Sequence, residues 1–132
     1  MLSICFLSSM HPPFDKRVFE KEARSLAVEG FSVTHIAPGD GVELVANGVR
    51  IVTYLGRKGL LGRILQLRLL YKIAVSVGAD VYHCNELDSW LVGLALKAFH
   101  GTKCVVDIHE HYPEEFAETR FPIFLRSIVR CL

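Results

Sequence analysis

Leu2-Ser3-Ile4-Cys5-Phe6-Leu7, then Ser8-Ser9-Met10-His11-Pro12-Pro13-Phe14-Asp15, then Lys16 to Gly30: an apolar run, a polar loop and a segment with helical spacing. The nearly continuous apolar run has the pattern of a parallel strand buried on both faces. Pro12 and Pro13 stop that strand and hold the loop extended. Asp15 can cap the following helix. Phe19, Ala23, Leu26, Ala27 and Gly30 fall at i, i+4, i+7, i+8 and i+11, one buried face, and Gly30 is placed to end the helix. In a strand–loop–helix unit of this kind, a ligand is expected at the loop beyond the strand's carboxyl end.

The rest of the chain repeats this order. Phe31 to Ala37 reads as a strand ended by the turn cluster Pro38-Gly39-Asp40-Gly41. Val42 to Ala46 and Val49 to Leu55 read as short strands around Asn47-Gly48, a strong hairpin signal. Leu60 to Val77 reads as a helix apolar on nearly every side, which asks for burial, a partner or a membrane surface. Val81 to Cys84 is a strand, and Asn85 or Asp88 can cap the next helix, whose face is Leu87, Leu91, Leu94, Ala95 and Ala98. Lys103 to Ile108 is a further strand, and Pro122 to Leu132 has a helix-like, apolar pattern that wants a missing domain or a second copy to pack against. Alternating strands and helices predict an α/β fold: a Rossmann-like, doubly wound, mostly parallel sheet with helices on both faces, in one domain spanning 1–132.

Composition narrows the function. With 51% hydrophobic residues, the 132-residue chain is not disordered. A net charge of +1 gives no reason to expect nucleic acid as partner. The amino terminus has no cationic leader with a small-residue cleavage pattern. Leu60 to Val77 carries Arg63, Arg68 and Lys72, too many charges for a spanning helix. Cys5, Cys84, Cys104 and Cys131 show no C-x-x-C spacing and read as reduced core cysteines of a cytoplasmic protein.

The chemistry should lie in three loops beyond strand ends: Ser8 to Asp15, His83 to Asp88 and His109 to Glu114. Four of the six histidines, His11, His83, His109 and His111, fall there. The first loop has neither G-x-G-x-x-G nor a P-loop pattern, so a dinucleotide or Walker-type phosphate site is not supported. Ser8 and Ser9 can still donate hydrogen bonds, and the helix start still favours an anion. Arg17 stands beside the loop, suited to a phosphate or carboxylate, whereas Lys21 and Arg24 read as a solvated face. Asp15 can cap the helix, hold a substrate hydroxyl, or do both. His109-x-His111 with Glu110, opposite His83 and Glu86, has the residue types of a metal site, although alternate residues converge only if the strand has already ended.

Ser8 to Ala23 resembles the start of the retaining GT-B glycosyltransferases of family 4, with their H-x-P-x-D-x-R loop and a later G-x-x-V, here Gly30 to Val33. Asp80 to Asp88 is similar to their D-v-x-H-x-H/N-D/E-x-d motif, and Asp107 to Glu114 to their D-x-H-E-x-x-P-E motif. The resemblance runs from Leu2 to about Glu115 and implies the N-terminal, acceptor-binding half of a GT-B fold. It implies transfer from a nucleotide sugar to a hydroxyl of a sugar or lipid-linked acceptor, with retention, in polysaccharide or glycolipid synthesis. It implies His109 and Glu110 as catalytic residues. Ser9, His11, Asp15, Arg17, His83, Asn85 and Glu86 become the acceptor and donor-phosphate site. No metal and no cofactor are implied; the sugar nucleotide is a substrate, held mainly by a C-terminal domain absent from these residues, so the piece alone is expected to be inactive. The Pro-Pro loop departs from the glycine-rich loop of many relatives and offers fewer backbone donors to a diphosphate. In relatives with lipid-linked acceptors the region matching Gly56 to Val77 touches the membrane, so a peripheral position at the inner membrane face is implied. Two other readings stay open: a metal-dependent hydrolase built on His83, His109 and His111, and a non-catalytic α/β interaction module.

Overall fold

The computed structural model describes residues 1–108. The predicted α/β architecture is present. Six strands form one sheet: β1 (Ser3–Leu7), β2 (Ser32–Pro38), β3 (Glu43–Ala46), β4 (Val49–Tyr54), β5 (Val81–Cys84) and β6 (Lys103–Val106), in the order β3-β4-β2-β1-β5-β6. Only β3 runs antiparallel, paired to β4 through the Asn47-Gly48 turn. Both turn residues have positive φ, 50° at Asn47 and 79° at Gly48, which explains why the chain uses that dipeptide there. The remaining pairs are parallel.

Side-chain alternation divides the core into two layers. On one face Cys5, Leu7, Ile36, Tyr82 and Cys84 meet Leu70 and Ala74 of α1 (Gly59–Val77) and Val92 and Leu96 of α2 (Leu87–His100). On the other, Phe6, Val33, Val49 and Ile51 meet Val18, Phe19 and Ala23 of the first helical segment. Full burial of side chains this size is worth about 1.5–3 kcal/mol each. The sheet is therefore covered on both faces, as a parallel sheet requires.

Two local features depart from the sequence-based expectations, and a third narrows one of them. The first helix is not α-helical throughout: Lys16–Ala23 is π-helical and passes into a short α-helical turn at Arg24–Val28. Its first wide turn closes when both Phe19 N–H (2.9 Å) and Glu20 N–H (3.2 Å) donate to the Asp15 carbonyl. The cap of α2 is Glu86, neither Asn85 nor Asp88; the Ser89 hydroxyl accepts from the Glu86 N–H at 2.9 Å. Asp88 instead holds Arg63 of α1, with Oδ1 and Oδ2 each within 2.8 Å of the guanidinium. Finally, α1 buries only Gln66, Leu70 and Ala74, one stripe at i, i+4 and i+8. Leu60, Leu61, Ile64 and Leu65 near its start are exposed.

Cys5 and Cys84 are buried free thiols and Cys104 is half-buried, as the apolar context of each suggests. Burial pushes the Cys84 thiol up to about 12, which keeps it protonated and unreactive. Cys131 lies outside the described residues.

Candidate functional site

The strand order reverses between β1 and β5, so the loops beyond Leu7 and Cys84 face each other at the switch point. β6 lies next to β5, which brings Asp107 to the same edge. Most of the residues singled out in the sequence gather here.

The first loop is held from two sides. Its amides turn toward Glu86, which is 5% exposed. Ser9 N–H and Ser9 O–H donate to Glu86 Oε2 at 3.1 and 3.3 Å. Met10 N–H and His11 N–H donate to Oε1 at 3.3 and 3.2 Å. Its carbonyls turn the other way: Tyr54 O–H donates to the Ser8 carbonyl at 2.8 Å, and Gln66 Nε2 to the Ser9 carbonyl at 2.8 Å. The backbone expected to receive a substrate anion is thus already occupied by a carboxylate of the protein.

His11 bridges two acids. Its Nδ1 lies 3.3 Å from Asp15 Oδ2 and its Nε2 lies 3.6 Å from Glu86 Oε1. Asp15 caps the π-helical segment, with Oδ1 accepting from Arg17 N–H and Val18 N–H, both at 2.9 Å. Burial raises the Asp15 pKa, but the two amides and His11 outweigh it and hold its carboxyl below the ordinary aspartate range. Of the two roles read from the sequence, the geometry shows the cap: Oδ1 takes both helix amides, while Oδ2 faces His11.

Behind this layer lies His83, its ring tilted against Phe6 at 4.7 Å between centroids. A ring nitrogen of His83 and carboxylate oxygens of Glu22 and Asp107 lie within 4.8 Å of one another. These donor types suit a divalent cation. Arg17, however, already lays its guanidinium on both acids, 2.9 Å from Asp107 Oδ2 and 3.4 Å from Glu22 Oε1. The π-winding makes this possible. In an α-helix, residues five apart point roughly 140° away from each other; an i→i+5 turn returns them to one side.

The chain belongs to glycosyltransferase family 4. The family model, described as Glycosyltransferase Family 4, matches residues 16–131. No curated protein matches the chain. Membership makes the chain a glycosyltransferase-type protein, in agreement with the three-motif resemblance.

Of the nine residues named from the sequence, Ser9, His11, Asp15, Arg17, His83, Asn85 and Glu86 sit at one end of the sheet in this family 4 domain, whereas His109 and Glu110 lie outside the described residues. His111, needed for the metal-hydrolase reading, lies outside them as well. The seven are not equivalent. His11, Asp15, Arg17 and His83 are half-buried; Asn85 is fully buried and Glu86 nearly so. Sequence reading missed His35, Tyr54, Gln66 and Glu22. His35 and Tyr54 sit inside strands and Gln66 inside an apolar helix, so a polar residue in an apolar run was the available signal. Glu22 gave none, because its role depends on the π-turn. No helix among the described residues is long and apolar enough to cross a membrane.

Proposed function

We propose that this domain is the acceptor side of a sugar-nucleotide-dependent glycosyltransferase that acts with retention in polysaccharide or glycolipid synthesis. The observation that carries the reading is the gathering of His11, Asp15, Arg17 and His83 where β1 and β5 diverge, in a chain of family 4. Hydroxyl transfer from a nucleotide sugar needs the acceptor oxygen fixed against the anomeric carbon and positive charge near the departing phosphate. His11, Asp15 and His83 can orient hydroxyls, while Arg17 is paired with Glu22 and Asp107 beside them. The reading assigns the nucleotide to a second domain, and His109 and Glu110 to the reacting centre. The test is the complete product of the gene, assayed against a panel of nucleotide sugars and hydroxyl acceptors, with the anomeric configuration read by NMR. Failure to transfer any sugar, or inversion in the product, would refute it. Bound metal, quantified on the same preparation, separates it from a hydrolase: a stoichiometric transition metal with hydrolysis of the donor alone favours the latter.

One surface bears on the acceptor. Leu60 (78% exposed), Leu61 (70%) and Ile64 (56%) stand on the first turns of α1, with Arg57, Lys58 and Arg68 exposed nearby. Apolar residues flanked by cations suit the interface of an anionic bilayer, which supports a lipid-linked acceptor and a peripheral position. Co-sedimentation with phosphatidylglycerol vesicles, lost in Leu60→Ser/Leu61→Ser and absent with phosphatidylcholine, tests it. Equal recovery of both proteins with either lipid would remove it.

A further inference from the structure

Beneath the first loop the polar groups form a chain of hydrogen bonds whose direction follows atom by atom. It begins at the Pro13 carbonyl, which can only accept. His35 Nδ1 lies 3.1 Å away, so Nδ1 carries the proton. His35 is fully buried, and burial drives its pKa down to about 4, against the pull of the Pro13 carbonyl, so the ring is neutral and Nε2 is bare. Ser8 O–H then donates to Nε2 at 2.9 Å. With its proton committed, the Ser8 oxygen accepts from Asn85 Nδ2 at 3.1 Å. The same Nδ2 donates to the Leu7 carbonyl at 3.2 Å. The nitrogen side of the Asn85 amide is therefore pinned twice, which leaves Oδ1 facing His83 Nδ1 at 3.0 Å. An amide oxygen accepts only, so His83 Nδ1 must be the donor.

We propose that Asn85 is a positioning residue that fixes His83 with its proton on Nδ1, so that His83 Nε2 accepts a hydrogen bond from a hydroxyl of the sugar substrate. The inference rests on the glycosyltransferase reading and assigns roles within that site. His83 is half-buried and braced by Phe6. Among the described residues its Nε2 has no hydrogen-bond partner. The groups around the ring present acceptors, the carboxylates of Glu22 and Asp107, together with the guanidinium donors of Arg17. A hydroxyl gives one hydrogen bond and takes others, so it matches that mixed environment; a second cation would have to share both acids with Arg17. The buried amide has no route to the substrate, so its effect is exerted through the ring.

The test is long-range proton–nitrogen correlation on the histidine-labelled chain, with His83 assigned from the signals lost in His83→Phe. The expected result is a pyrrole-type Nδ1 and a pyridine-type Nε2 once the ring is neutral. An Nε2–H tautomer would overturn the inference. In Asn85→Ala, with folding checked by circular dichroism, the two tautomers should mix; an unchanged Nδ1–H ring would remove Asn85 as the positioning residue. Should that variant not fold, the wild-type tautomer alone decides. In the complete gene product, His83→Phe should raise KM for one sugar substrate by about tenfold, the worth of one hydrogen bond, with a smaller change in kcat. An unchanged KM overturns the hydroxyl contact. A wrong tautomer in an active transferase refutes this inference alone, whereas absence of transfer by the wild type refutes the functional reading beneath it.

Discussion

Replacing Glu86 by Gln tests whether a buried carboxylate organises the first loop. The change keeps the side chain's shape and removes its charge. Glu86 accepts four hydrogen bonds, two at each oxygen. An amide nitrogen at the Oε1 position would face two N–H donors, Met10 and His11, with no way to satisfy either. At the Oε2 position it would face Ser9 N–H but could donate to Ser9 Oγ, whose hydroxyl can turn. The second orientation is preferred: one N–H is left opposite another donor, and the remaining bonds lose their charge assistance. An unsatisfied buried donor costs about 1–3 kcal/mol, and bonds to charged groups exceed neutral ones by about 1 kcal/mol, so the sum is roughly 2–4 kcal/mol. Against a total stability of about 5–15 kcal/mol this is a large fraction. Urea unfolding followed through Trp90, the single tryptophan, should show the midpoint falling by about 1–2 M with an unchanged slope. Hydrogen exchange should quicken at Ser9, Met10 and His11 while the β2 amides keep their protection. A loss below ~0.5 kcal/mol with unchanged exchange at those three amides would refute the reasoning.

Gly93 of α2 packs so closely that a Cβ there would overlap Cys84 Sγ and lie 3.3 Å from Cys104 Sγ. Gly93→Ala should therefore cost about 1–3 kcal/mol despite the better helix propensity of alanine, and Cys84→Ala should rescue part of the melting temperature. Asp15→Ala uncaps the π-helical segment and should cost about 1 kcal/mol in thermal unfolding; no loss would show the cap to be redundant. The His35 pKa, about 4 in the folded chain against the ordinary 6.5 of a histidine, sets a pH dependence. The unfolded ring takes up a proton that the folded one refuses, so this stability is fully present above the unfolded pKa and lost as pH falls from 6.5 toward 4. The loss is roughly 3 kcal/mol by linkage. Chemical denaturation at several pH values should show it, and a folded His35→Gln chain should lack that slope.

The layered architecture was legible because it depends on apolar periodicity, which tolerates small errors. The run Leu2 to Leu7 gave β1 within a residue, and Asn47-Gly48 gave the hairpin because few other residues accept two positive φ values. The clustering of His11 and His83 was legible through topology alone, since it needs only the strand order. What failed was anything resting on the winding of one turn. Arg17 and Glu22 stand five apart, a spacing that α-helical winding would hold on different sides. In the π-turn Arg17 pairs with Glu22, while Lys21 and Arg24 stay exposed, as a solvated face does. Asn85 illustrates a second failure: a polar residue after a strand suggests a cap or a ligand contact, and only burial reveals that its amide turns inward to Leu7 and Ser8.

The seats a phosphate would be expected to use in this half are taken by the protein's own acids. Amides at the start of the π-helical segment bind Asp15, the first-loop amides bind Glu86, and the Glu86 amide itself is capped by Ser89. An incoming diphosphate would have to displace a buried carboxylate held by four hydrogen bonds before it could use the loop backbone, at a cost of several kcal/mol. Side chains carry no such cost. Those at the rim include His11, Asp15 Oδ2, Met10 (64% exposed) and Phe14 (52%), the last packed edge-on against Phe19. Polar groups beside apolar ones match the two kinds of surface on a sugar ring better than they match a phosphate. That occupancy is in keeping with the division of labour proposed above, hydroxyls on this half and the nucleotide elsewhere. It predicts that inorganic pyrophosphate binds this chain no more tightly than chloride does, and calorimetric detection of a specific pyrophosphate site would contradict it.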